Sequence, residues 1–117
     1  MNSGSDVEGT LGVEYRTLAV DWDAARDTPD EADSVFKAHH AVYKKLRRTS
    51  AGRLIIAGFL DDPVTAVRLL AATHSLRSDP IHAVAALEEI EQGSSPYALD
   101  AKWTLRSYRN GKLNLDW

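Results

Sequence analysis

The chain has 117 residues, 44% of them apolar, with no cysteine and a formal net charge of −3. That is enough for one hydrophobic core and short for two. Without cysteine there is no disulfide, thiolate nucleophile or Cys-ligated zinc. No apolar run approaches the ~20 residues that span a bilayer, and the acidic balance argues against a dedicated nucleic-acid binder.

Residues 1–9 are small, polar and acidic, without periodicity, and read as disordered. Met1 to Gly12 have neither the basic start nor the apolar stretch of a signal peptide, so a cytoplasmic protein is expected. Leu11, Tyr15, Leu18, Ala19 and Trp22 then fall on one face of a helix. Asp23 to Thr28 forms a turn. Thr28-Pro29-Asp30-Glu31 combines an N-cap, a first-turn proline and a capping-box acid, opening a second helix that runs to about Arg48. Its expected buried stripe is Val35, Phe36, His39, Val42, Tyr43 and Leu46.

Ser50 is expected to cap a third helix carrying Leu54, Ile55, Ile56, Phe59 and Leu60, apolar nearly all round and therefore central. Asp61-Asp62-Pro63 turns into a fourth helix with Val64, Val67, Leu70, Ala71 and His74 in register. Asp79-Pro80 opens a fifth, with Ile81, Val84, Leu87 and Ile90, closed by Gly93. Ser95-Pro96 opens a sixth, with Leu99, Trp103, Leu105 and Tyr108, ended by Asn110-Gly111. Leu113, Leu115 and Trp117 alternate, as in an extended tail lying on the last hairpin. No segment has strand character.

Pro29, Pro63 and Pro96 stand 34 and 33 residues apart, a period of stacked helical hairpins. The expected fold is all-α: six helices as three antiparallel pairs in a short HEAT-like right-handed solenoid. Residues 10–117 would form a single helical-repeat domain.

The stretch Phe59-Leu60-Asp61-Asp62-Pro63-Val64-Thr65-Ala66-Val67-Arg68-Leu69-Leu70-Ala71-Ala72 resembles the centre of a HEAT-type repeat. The small Ala71 and Ala72 suit close helix approach there, and Arg68 suits bonding to carbonyls or aspartates of a neighbouring repeat. Ala38-His39-His40, Val67 to Leu76 and Asp100 to Leu113 are together similar to a bacterial family known as domain of unknown function 2019. That resemblance spans about two thirds of the chain and implies a small, all-helical bacterial protein, with no activity attached. Some small bacterial families of this kind serve as immunity proteins that neutralise a neighbouring toxin, which is an analogy of class.

Catalytic signatures are missing from the sequence. There is no HExxH, GxSxG, GxGxxG or phosphate loop, and no histidine pair at i, i+4. His39 and His74 fall on apolar stripes and read as core residues; His40 and His82 read as exposed. Ser50, Ser94 and Ser95 read as caps. The expectation is a protein that is not an enzyme, with no metal and no cofactor.

Charge is segregated along the chain. Residues 1–33 hold nine acids against Arg16 and Arg26, whereas residues 34–60 hold six bases and no acid. Two surfaces follow. One is acidic (Asp21, Asp23, Asp27, Asp30 and Asp33, with Glu31), suited to plug the basic cleft of a toxin acting on nucleic acid or nucleotides. The other is basic: Lys37, Lys44, Arg48, Lys102, Arg106 and Arg109, with Arg68, would line the concave face if the chain stacks as HEAT repeats do. It would suit an acidic protein or a nucleic-acid backbone. The function expected is non-catalytic protein binding, most concretely by a bacterial immunity or antitoxin-like protein that occludes a partner toxin. The alternative is a nucleic-acid-binding helical repeat. No membrane partner is expected, and the oligomeric state is left open.

Overall fold

A computed structural model describes residues 3–117, with side chains from Val7 onward. It contains six α-helices and, among the described residues, no strand. They are α1 (Ser3–Ala24), α2 (Pro29–Leu46), α3 (Ser50–Gly58), α4 (Thr65–Ser75), α5 (Pro80–Gln92) and α6 (Ala98–Arg109), with a 3₁₀ turn at Phe59–Asp61 after α3. Among the described residues no helix is long and apolar enough to cross a membrane. The chain groups into two compact units, one ending at Phe59 and one beginning at Leu60.

In the N-terminal unit α1, α2 and α3 all pack on one another. Trp22 meets Phe36, Tyr15 meets His39, and the Thr49 hydroxyl donates to Glu8. Partner numbers rise as α1 numbers fall, so α1 and α2 run antiparallel. The Glu8 contact anchors the first turns of α1, and the helix begins at Ser3, seven residues before the expected start. Residues 3–9 are thus helical where disorder was expected; Met1 and Asn2 lie outside the described residues. Between α2 and α3, Thr49 rather than Ser50 is the N-cap, its hydroxyl accepting from the Gly52 N–H at 3.0 Å. Gly52 is required there, because a methyl at its Cβ position would collide with the Leu46 carbonyl oxygen.

Two expectations about burial change in this unit. α2 is covered by both α1 and α3, so its buried zone is wider than one stripe and includes His40 (9% exposed) as well as His39. α3 turns only Gly52 and Ile56 fully inward, leaving Leu54 71% exposed.

The C-terminal unit is built on α5, which packs against both α4 and α6. α4 is the most apolar-enclosed helix, burying Ala66, Val67, Leu69, Leu70, Ala71, Ala72 and Ser75. Pro80 opens α5 in its first turn as expected. Pro63 and Pro96 instead stand two residues before their helices. There the Asp62 carboxylate accepts from the Val64 N–H at 2.9 Å, and the Ser95 hydroxyl from the Tyr97 N–H at 3.3 Å. Arg68 reaches back to donate to the Asp62 carbonyl at 2.8 Å and the Thr65 hydroxyl at 3.2 Å, so these bonds close its own turn rather than reach the neighbouring repeat expected of it.

α6 departs most from its sequence pattern. It carries two apolar stripes, and the one facing inward is Tyr97, Ala101 and Leu105. The small Ala101 lets α6 sit close on its neighbour. Leu99 and Trp103, expected in the core, lie on the other side at 60% and 51% exposure. Gly111, with φ of +69°, then turns the chain through a left-handed residue. The Lys112 and Leu113 N–H groups return to the Ser107 carbonyl, and Asp116 pairs with Arg77.

Candidate functional site

The end of the α1–α2 hairpin gathers the predicted acidic residues. Asp21 and Asp23 lie in the last turns of α1, Asp27 in the connection, and Asp30, Glu31 and Asp33 in the first turns of α2. The local sequence dictates this arrangement. Ala25 is the one small apolar residue of the turn and is 5% exposed, with its N–H bonded to the Asp21 carbonyl at 3.0 Å. Thr28 N–H closes onto the Ala25 carbonyl at 2.8 Å, and Pro29 starts α2. With Ala25 turned in, the flanking carboxylates turn out: Asp21, Asp27, Asp30, Glu31 and Asp33 are exposed and Asp23 half-buried. Asp33 pairs with Lys37 at 2.9 Å, one helical turn on. Asp21, Asp27, Asp30 and Glu31 make no ion pair among the described residues. Asp30 and Glu31 also stand in the first turn of α2, where acidic side chains suit the positive end of the helix dipole.

The predicted basic residues fall on both units. Lys37, Lys44 and Arg48 are exposed on and just after α2, and Lys37 is occupied by Asp33. Lys102, Arg106 and Arg109 are exposed on α6. Arg109 pairs with Glu88 at 3.2 Å, and the Arg106 guanidinium lies 5.3 Å from the centre of the Trp103 ring.

A buried aromatic and histidine cluster forms the core of the N-terminal unit. His39, 1% exposed, packs its ring 4.1 Å from that of Tyr15, which in turn stacks on Phe59 at 5.6 Å. His40 lies 5.5 Å from Tyr43, whose face carries the Arg47 guanidinium at 5.1 Å. Burial pulls the His39 pKa down to about 4, His40 adds to the fall, and the Tyr15 backbone carbonyl works the other way. Burial likewise pushes the Tyr15 hydroxyl well above its ordinary range, and Tyr43 adds to that. His39 is therefore a neutral, packed imidazole at pH 7.

Three surface features escaped the sequence pattern. His82 lies within 2.9 Å of both Asp79 carboxylate oxygens across the start of α5, a contact signalled only by i, i+3 spacing at a helix cap. A groove of about 380 Å³ between α1 and α3 is lined by Gly9, Gly12, Val13, Ile55 and Phe59, with Arg16 and Thr17 beside them. The third is the exposed Leu99–Trp103 face of α6. Among the described residues no group of three or more His, Asp or Glu is placed to hold a metal ion. In comparisons with family models, with curated proteins and with solved structures, none matches this chain.

Proposed function

We propose that this chain is a non-catalytic protein-binding module, most concretely a bacterial immunity or antitoxin-like protein that occludes a partner toxin in the cytoplasm. The observation that carries the proposal is the acidic end of the α1–α2 hairpin. Four of its carboxylates are exposed and make no ion pair among the described residues, around a turn closed by Ala25 and Pro29. Such an array attracts a cationic cleft and raises the association rate with it. Desolvated charge pairs then hold the complex. That the helical hairpins are HEAT-like repeats is part of the same proposal, supported by the spacing of Pro29, Pro63 and Pro96.

Exchanging Asp23, Asp27 and Asp30 for Lys tests it. The triple variant is expected to lose its partner while keeping its helical circular dichroism. Unchanged affinity would move the interface to the basic residues. A nucleic-acid backbone is the weaker partner for those, since Lys37 and Arg109 are already engaged by Asp33 and Glu88.

A further inference from the structure

We propose that the outward face of α6 is a second docking surface, and that its occupant is an acidic amphipathic helix of a protein partner. The face is built from Leu99, Trp103 and Arg106, at i, i+4 and i+7 along one side of the helix, with Lys102 beside them. Leu99 and Trp103 are 60% and 51% exposed, although the same helix buries Ala101 and Leu105 completely or nearly so. Tryptophan and arginine are the residue types most enriched at energetic centres of protein interfaces. Here they are already in contact: the Arg106 guanidinium lies 5.3 Å from the Trp103 ring centre. Pre-packing of this kind reduces the side-chain freedom lost on binding.

The platform beneath is fixed at both ends. Buried Tyr97, Ala101 and Leu105 hold α6 down, the Ser95 hydroxyl binds the Tyr97 N–H, and the Gly111 turn returns two N–H groups to Ser107.

Charge selects the occupant. Lys102 and Arg106 make no ion pair among the described residues, while Arg109 is held by Glu88. A partner covering Leu99 and Trp103 must place its own groups over these two cations, so its apolar stripe has to be bordered by carboxylates. A helix meets both needs at once, because apolar residues at i, i+3, i+4 and i+7 leave acidic residues on the flanks. A nucleic-acid backbone fits less well. The face offers only two cations without an ion pair among the described residues, and the rest of it is apolar. Leu99 gives phosphate nothing to bind. The surface lies on a different unit from the acidic hairpin end and stands independently of it.

The test uses the full chain and fluorescence anisotropy. The probes are a labelled acidic amphipathic peptide of about 18 residues (Leu along one face, Glu elsewhere), the same peptide with Lys for Glu, and oligothymidylate. The wild type is expected to bind the acidic peptide, with affinity falling as NaCl rises from about 50 to about 500 mM. Trp103→Ala is expected to weaken it at least about tenfold. Lys102→Glu with Arg106→Glu is expected to transfer preference to the Lys peptide, a reversal that general unfolding does not produce. The Asp23, Asp27 and Asp30 triple variant is expected to bind the acidic peptide like the wild type. Three results would each overturn the proposal: no binding of the acidic peptide, equal binding by Trp103→Ala, or tighter binding of oligothymidylate. Concentration-dependent self-association abolished by Trp103→Ala would also overturn it, assigning the face to a second copy of the chain.

Discussion

Acid is expected to destabilise the N-terminal unit through one residue, His39. The imidazole is buried as the neutral form and its pKa falls to about 4, from 6.5 when exposed. Between those values the unfolded chain binds the proton and the folded chain does not. The contribution of neutral burial is therefore complete above about pH 6.5 and is lost as pH falls toward 4. A gap of about 2.5 units at about 1.4 kcal/mol per unit gives a loss of about 3.5 kcal/mol when complete, roughly 2.5 kcal/mol of it by pH 4.5, a large share of a small domain's stability. Urea unfolding at about pH 7.5 and about pH 4.5 measures it. Replacing Trp103 and Trp117 by Phe leaves Trp22, packed on Phe36 in this unit, as the sole tryptophan reporter. His39→Phe should remove most of the pH-dependent loss. His39→Gln, with no titrating group and less volume, should remove it too. His40→Phe should reduce it in part, because His40 contributes to holding the His39 pKa down. If stability falls by the same amount in wild type and in both His39 variants, the loss comes from other groups and the reasoning fails.

Other consequences are local. Gly52→Ala should cost about 1–3 kcal/mol in denaturant unfolding although alanine is the better helix former, because the new methyl meets the Leu46 carbonyl; a gain in stability would contradict the packing of α2 on α3. Ser75 is fully buried and its hydroxyl has no partner among the described residues, so Ser75→Ala should raise the unfolding free energy by about 1 kcal/mol. Leu87→Ala, in the helix that both α4 and α6 pack against, should cost about 2–5 kcal/mol in the same assay.

Periodicity and caps made the six helices legible, and they failed where a helix touches more than one neighbour or offers more than one stripe. α2 and α5 began where Pro29 and Pro80 indicated, because a proline in the first turn loses no helical hydrogen bond. Pro63 and Pro96 lie in the same sequence context, yet Asp62 and Ser95 use their side chains to close a turn first, delaying the helix by two residues. His40 was hidden because a single-stripe reading of α2 does not anticipate cover from both α1 and α3. On α6, hydrophobicity favours Leu99 and Trp103 for the core. Close approach favours Ala101, and residue volume against a neighbouring helix is not visible in a periodicity pattern. The exposure of Asp21, Asp27, Asp30, Glu31 and Asp33 was legible in the charge pattern, since carboxylates without a buried partner stay in water, whereas Asp23 is half-buried. The Arg106–Trp103 contact and the α1–α3 groove depend on packing and were not.

The most direct test of protein binding through the acidic end is a parallel affinity capture. Tagged wild type and the Asp23, Asp27 and Asp30→Lys variant would be passed through nuclease-treated native lysate, and the eluates compared by mass spectrometry. One stoichiometric small protein retained by the wild type and absent from the variant is the predicted result. The contrary result is no protein partner for either, with nucleic acid recovered by both once nuclease is omitted.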